Sequence, residues 1–332
     1  MERKASMTKE TSIKNITVVG TGVIGNGWIT RFLANDYTVT AYDPDPNTEE
    51  KTRKAVERAW PWMKKMGLAV GAPEDHLFFE TDLEKSLKEA DFVQENVPER
   101  EELKRKVIAD IDRYTKEETI IASSTSGILP SSLQADCKNH PERVMVAHPF
   151  NPVYLMPLVE LVGGDKTDKF YIEKAKMFYD NIMMKPLVIR QEIEGHIADR
   201  LMEAIWREAL HIVNDGAAST EEVDASIIYG PGLRWALMGP FMTLHMGGGK
   251  EGMRHLLEQF GPALKLPWTK LEAPELTEEL AEKVITGCEA QTDGVEMERL
   301  EDRRDQFLIE LQQLLEKYWP GENMSGSYES FN

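Results

Sequence analysis

Two short stretches of the chain hold residues whose types and spacing could do chemistry. The first is Gly20-Thr21-Gly22-Val23-Ile24-Gly25, which follows the β-rich run NITVV and opens a helical pattern. The first glycine permits a tight turn, the second lets the backbone approach a phosphate, and the third allows close helix–strand packing. Unpaired amides and the positive dipole end of the next helix then suit a pyrophosphate. Asp43 ends the following β-rich run, YTVTAYD, 18 residues after Gly25, where a carboxylate would take the hydroxyls of a ribose. The segment DPDPNTEE after it brings no arginine for a 2′-phosphate. The pattern therefore favours NAD over NADP, while the loop alone leaves FAD open.

The second stretch is HPFNPVYLMPLVE, in which His148 and Glu160 stand twelve positions apart. Oxidising an alcohol with NAD needs a base for the hydroxyl proton while a hydride leaves the same carbon. Histidine titrates near neutrality and suits that role. His148 ends the run RVMVAH, on the edge where open α/β sheets place their ligands. Glu160 lies in the next run, LVELVG, and a return path through the proline-rich loop would bring its carboxylate to the imidazole. There it would fix the tautomer and stabilise the imidazolium. SSTSG (123–127) adds hydroxyls at the same edge, and on its own reads as a Ser/Thr-rich turn capping a helix.

The elements that must position these groups are legible as alternating runs. HLFFET, DFVQEN, TIIASS and KPLVIR complete a set of eight strands, with helical patterns between several of them. This predicts an α/β fold, a Rossmann-type doubly wound, mostly parallel sheet. From residue 191 the pattern is helical, so the expected organisation is an NAD-binding domain over 1–190 and a smaller all-α domain over 191–332. In the latter, Ile197, Leu201, Ile205, Leu210 and Val213 recur at helical spacing and predict a buried stripe. Leu300, Phe307, Leu311 and Leu314 define the apolar side of a later helix, suited equally to core packing and to a subunit interface. MERKASMTKETSIKN reads as a short flexible arm with no signal-peptide core, and PGENMSGSYESFN as a disordered tail.

The bulk properties narrow the partners. The 332 residues carry 41% hydrophobic and 29% charged side chains, a globular profile, and a formal charge of −18. That charge argues against nucleic acid and against an anionic membrane surface, and no apolar run reaches the ~18 residues of a spanning helix. Cys137 and Cys288 have no metal-ligand spacing, which predicts a reduced, cytoplasmic protein with no metal.

With these residues together, the sequence resembles the 3-hydroxyacyl-CoA dehydrogenase superfamily from Ile16 to about Leu315. The resemblance rests on GTGVIGNGW, DFVQENVPEREELK (91–104), ASSTSGI, AHPFNPVYLMPLVELVGG, IADRLMEAIWREALHIVNDG and GPGLRWALMGPF. HPFNP with its spaced Glu160, and GLRWALMGPF, carry the most weight. The resemblance implies His148 as catalytic base, Glu160 as its partner and Ser126 as the serine that contacts the substrate. It implies that Ser124, where an asparagine is usual, lies by the nicotinamide ribose. Glu99 and Lys104 would flank the nicotinamide side, and Val97 would line the cofactor with its backbone. A homodimer through the helical half is also implied.

One departure bears on the substrate. Acyl-CoA members usually carry asparagine in the segment matching IADRL, where this chain has Asp199. An added negative charge suits a CoA thioester less well than a substrate bearing a fixed cation, and within the superfamily the stretches are most similar to the branch that oxidises L-carnitine. A trimethylammonium group cannot donate hydrogen bonds and is held by aromatic faces and negative potential. Phe150, Tyr154, Trp235 and Phe241 are the candidate rings, with Tyr229 and Trp206 behind them, and Arg234 could clamp the carboxylate. Asp199 would supply the negative potential; its plainer role is a surface or N-capping acid. The alternatives left open are another 3-hydroxy-acid or hydroxyacyl-CoA dehydrogenase, and a crystallin-like structural protein keeping the fold without turnover. Retention of His148, Glu160 and Ser126 together speaks against the latter.

Overall fold

The computed structural model describes residues 13–67, 75–236, 239–270, 272, 275, 277–292 and 294–318. Most of the expected N-terminal arm, and the whole of the C-terminal tail, lie outside the described residues. The chain divides into two compact units, Met1–Arg200 with Asp305–Leu311, and Leu201–Arg304 with Gln312–Asn332. The first thus runs past the boundary expected near residue 190 and takes in a short piece of the last helix.

Eight strands form one sheet in the first unit: β1 (Asn15–Val19), β2 (Thr38–Tyr42), β3 (Leu77–Glu80), β4 (Phe92–Glu95), β5 (Ile120–Ser123), β6 (Val144–Pro149), β7 (Leu158–Gly163) and β8 (Lys185–Ile189). Their order is β3-β2-β1-β4-β5-β6-β7-β8. The first six are parallel, β7 runs antiparallel to β6, and β8 is parallel to β7. The helices are α1 (Val23–Leu33), α2 (Thr48–Met66), α3 (Leu83–Leu87), α4 (Glu101–Tyr114), α5 (Pro130–Leu133) and α6 (Lys169–Asn181). This is the doubly wound Rossmann arrangement expected from the alternating runs.

The two faces of the sheet are set by strand alternation, because successive side chains point to opposite sides. Val18, Phe92, Ile120 and Met145 join Trp28, Phe32, Phe178 and Tyr179 in one core layer. Their neighbours Val19, Val93, Ile121 and Val144 join Ile108, Ile111 and Leu133 in the other. Both faces are covered by helices, so the central strands are buried along nearly their whole length. Among the described residues no helix is long and apolar enough to cross a membrane.

The loop between β6 and β7 is held from within by a buried cation. Arg31, on α1 and 1% exposed, donates to the carbonyls of Val153 at 2.8 Å and Met156 at 3.2 Å. It also donates to those of Ile182 at 3.0 Å and Met183 at 3.2 Å, in the turn after α6. Burial pushes its guanidinium down to about 9, which leaves it charged at neutral pH. The three prolines of HPFNPVYLMP shape this loop, with a cis peptide at Asn151–Pro152, but Arg31 fastens it.

The remaining helices are α7 (Ala198–Asn214), α8 (Thr220–Ile228), α9 (Pro231–Trp235), α10 (Pro240–Gly247), α11 (Met253–Phe260), α12 (Glu278–Thr292) and α13 (Met297–Tyr318). No strand occurs after β8 among the described residues. The buried stripe expected on α7 is not found: Ile197, Leu201 and Ile205 are exposed and only Val213 is buried. Helical period fixes which side of a helix is apolar, not whether this chain covers it. Likewise Phe307 and Leu314 of α13 are exposed, and its inward residues are Asp305 and Ile309.

Replacing Arg31 by leucine removes the donor from four carbonyls, two buried and two part-buried, at roughly 1–3 kcal/mol for each buried one. The first unit should then lose several kcal/mol of stability, read as a lowered urea midpoint; an unchanged midpoint would mean that water replaces the guanidinium.

Candidate active site

The glycine loop joins β1 to α1 at the carboxyl edge of the sheet. Gly20 has φ +92°, a left-handed conformation that favours glycine, and a Cβ there would press on the Asn96 backbone at 2.9 Å. A Cβ at Gly25 would lie 2.0 Å from the Gly20 carbonyl oxygen, so helix and turn meet only because both are glycine. Gly22 faces open space, and α1 begins with no side-chain cap. The first amides of this helix, at Val23 and Ile24, are thus left to an anion. Asp43, just past β2, accepts from the Thr21 backbone at 3.2 Å and the Thr21 hydroxyl at 2.9 Å. The loop and the carboxylate are held as one unit, and these residues fit a dinucleotide.

A second layer of the site is a buried network under the loop after β4. Glu95 is fully buried and accepts from Lys104 Nζ at 2.9 Å, Ser123 Oγ at 2.5 Å and the Val97 amide at 2.6 Å. Lys104 is buried too and lies 3.5 Å from Glu99. Its charge is enclosed, not open toward a ligand. Glu99 accepts from the Thr125 hydroxyl and from the amides of Ser126 at 3.1 Å and Gly127 at 3.4 Å. The Ser124 hydroxyl donates to Asn96 at 2.7 Å and accepts from Trp28 Nε1 at 3.0 Å and Gln94 Nε2 at 2.9 Å. Its donor and both lone pairs are taken within the protein. Ser126, two residues on, is exposed.

His148 and Glu160 face each other in register across the antiparallel β6–β7 pair. Nδ1 of His148 lies 3.0 Å from Glu160 Oε2, and both side chains are buried. Glu160 Oε1 accepts from the amides of Ile197 at 3.1 Å and Ala198 at 2.9 Å, at the start of α7. Burial acts to raise the Glu160 carboxyl, but the hydrogen bonds from His148, Ala198 and Ile197 outweigh it and hold the group below the usual carboxylate range. An ionised Glu160 accepts from Nδ1–H, which leaves Nε2 as the basic nitrogen. Asp199, on the first turn of α7, has Oδ2 at 3.5 Å from that Nε2. Phe150 stands edge-on to the imidazole at 5.0 Å between ring centroids. Tyr154 packs on the core and donates its hydroxyl to buried Asp305.

Arg234, Trp235 and Phe241 belong to the second unit, on α9 and the first turn of α10, and all three are exposed, as are Tyr229 and Trp206. The structure therefore groups His148, Glu160, Asp199 and Phe150 within the first unit. Sequence reasoning missed Glu95, Thr125, Arg31 and His196. An acid inside the apolar strand FVQE was a readable sign for Glu95. The others had none, since only the fold brings their partners to them.

Comparisons with known proteins show the family. Residues 15–193 match the model of the 3-hydroxyacyl-CoA dehydrogenase NAD binding domain, and 195–292 that of the 3-hydroxyacyl-CoA dehydrogenase C-terminal domain. The chain is 67% identical over 326 residues to an L-carnitine dehydrogenase of Bacillus cereus, covering 98% of this chain and 99% of that one. It is 49% identical to an L-carnitine dehydrogenase of Pseudomonas aeruginosa, covering 91% and 94%. Among solved structures, FHMPC 5-dehydrogenase, an NAD+ dependent dismutase, aligns with TM-score 0.77 at 26% identity over 92% of this chain and 99% of that one. The (S)-3-hydroxybutyryl-CoA dehydrogenase of Ralstonia eutropha aligns with TM-score 0.62, also at 26% identity, over 83% and 95%. The chain belongs to the 3-hydroxyacyl-CoA dehydrogenase family and is an NAD-dependent oxidoreductase acting on a CH–OH group.

Proposed function

We propose that this enzyme oxidises L-carnitine to 3-dehydrocarnitine, with His148 as base and Glu160 as its partner. The observation that carries the reading is the imidazole standing between two carboxylates, Glu160 on Nδ1 and Asp199 beside Nε2. Nε2 takes the proton of the 3-hydroxyl, and the exposed Ser126 hydroxyl holds the same oxygen. The bound NAD supplies a hydride acceptor for C3. Glu160 keeps the tautomer that makes Nε2 basic and balances the imidazolium once the proton has moved.

Asp199 has a second task in this reading. In carnitine the quaternary nitrogen sits on the carbon next to the one bearing the hydroxyl. A carboxylate 3.5 Å from the nitrogen that addresses the hydroxyl is therefore within reach of the cation. Phe150 offers an aromatic face beside it. Tyr154 is assigned instead to holding Asp305, since its hydroxyl is engaged there. Arg234, Trp235 and Phe241 stay in the proposal as substrate contacts, Arg234 for the carboxylate. The relatives' names support carnitine over other hydroxy acids.

On the cofactor side, Gly20, Gly22 and Gly25 with the Val23 and Ile24 amides take the pyrophosphate, and Asp43 takes the adenosine ribose. Glu99 and the Val97 backbone line the nicotinamide side, with Lys104 acting through Glu99. Ser124 offers a ribose its backbone and Cβ rather than its engaged hydroxyl. The exposed Leu201, Met202, Ile205 and Trp206 of α7 are read as the face covered by a second copy in a homodimer.

His148→Ala should lower kcat by roughly 10²–10⁴-fold with NAD affinity nearly intact; retained turnover would remove the base assignment. With L-carnitine, L-gulonate and 3-hydroxybutyryl-CoA as a panel, NADH absorbance should rise fastest with carnitine. Asp199→Asn should raise KM for carnitine about tenfold more than for 3-hydroxybutyrate, and equal effects on both would end its role toward the cation. Because the Glu160 carboxyl is held low, its contribution to stability is present above the ordinary range near 4.3 and lost as pH falls through its folded value. The Tm gap between wild type and Glu160→Gln should accordingly be widest at neutral pH and narrow in acid, as differential scanning calorimetry would record.

A further inference from the structure

His196 is a buried titratable group that the proposed mechanism leaves unused. It is fully buried, yet its backbone takes a left-handed φ of +49°, directly after Gly195 at +69°. A side chain other than glycine in that region persists only where its surroundings over-determine it. Its ring lies 5.2 Å from that of His148, inclined at 45°. Nε2 is 3.2 Å from the Thr125 carbonyl oxygen. A carbonyl can only accept, so Nε2 carries the hydrogen and Nδ1 keeps a lone pair. Nδ1 has no hydrogen-bond partner among the described residues.

The Thr125 carbonyl belongs to the peptide that leads into Ser126. The N–H of that same peptide donates to Glu99 Oε1 at 3.1 Å. The peptide plane is therefore held from both sides, by His196 at its oxygen and by Glu99 at its nitrogen. That plane sets where the exposed Ser126 hydroxyl stands. Since the holding ring also packs beside His148, one side chain links the serine loop to the base.

We propose that His196 is a positioning residue of the reaction: a neutral imidazole that clamps the Thr125–Ser126 peptide so that Ser126 and His148 address the same substrate hydroxyl. The groups facing it are His148, Glu160, Asp199 and the Thr125 carbonyl. Burial lowers its affinity for a proton, and the neighbouring His148 acts in the same direction, while Glu160 and Asp199 oppose. A charged His196 would repel the imidazolium formed at each turnover, and the neutral form lets His148 alone change charge. The inference rests on the reading of His148 as base and Ser126 as substrate contact.

The test compares His196→Gln with His196→Phe by steady-state kinetics on L-carnitine, with NAD affinity and Tm measured on each. Glutamine keeps an N–H that can reach the Thr125 carbonyl, whereas phenylalanine keeps the ring and fills the space. Phenylalanine should lower kcat about 10–100-fold, with KM and NAD affinity changing by less than about threefold, and glutamine should recover most of the loss. If phenylalanine matches wild type or outperforms glutamine, His196 fills space only and the inference falls. It falls as well if both variants lose NAD affinity and Tm together. An active His148→Ala variant would instead overturn the underlying reading, so the two failures are distinguishable.

Discussion

The site depends on one buried carboxylate. Glu160 gives Oε2 to the His148 imidazole and Oε1 to two amides at the start of α7. A buried carboxylate without such donors would not remain ionised. With them it ties His148 on β6 to the helix that carries Asp199 and follows His196. The reversal of β7 makes this arrangement accessible, because an antiparallel neighbour sets Glu160 opposite His148 on the same face of the sheet. A parallel β7 would have needed a crossover connection, and the eight residues between β6 and β7 would be too few.

Much of this was legible from local pattern. Strand runs announce themselves through apolar character and spacing, and all eight expected runs are strands. The glycine loop was legible because the Gly20 turn and the Gly20–Gly25 contact lie within six residues, although Gly20 also abuts the Asn96 backbone. The pairing of His148 with Glu160 was anticipated as a return path, and the register explains it. The exposure of α7 was not legible. Periodicity identifies an apolar side but carries no information on what covers it, so Leu201 and Ile205 read as core and stand in solvent here. His196 and Arg31 were invisible for a different reason. Their partners are backbone carbonyls 71 to 152 residues away in sequence, and a carbonyl has no residue type to recognise.

Charge is handled differently in the two halves of the site. Under the loop after β4, buried Lys104 pairs with buried Glu95 and lies beside Glu99, and the value of these carboxylates lies more in fixing the Val97 and Ser126 amides than in attraction. Around His148 the two carboxylates flank an imidazole, Glu160 at Nδ1 and Asp199 beside Nε2. Arg31 represents a third solution, a guanidinium satisfied wholly by carbonyl dipoles. Arg31 and Glu160 meet the desolvation problem with backbone hydrogen bonds, and Lys104 meets it with counter-charge.

The short chain separation of His148 and Glu160 has a consequence for assembly. Bringing together residues 12 apart closes a small loop, whereas Arg31 reaches Val153 across 122. The closure entropy differs by roughly 2 kcal/mol, at about 0.6 per doubling of length. The His148–Glu160 pair is thus a local contact, cheap to form before the sheet is complete, and a chain with α1 detached could still hold histidine against glutamate. What such a chain would lack is the frame: the carbonyls gathered by Arg31 and the glycine turn that belong to α1. Loss of activity on partial unfolding would therefore begin at the edges of the site and reach its centre last.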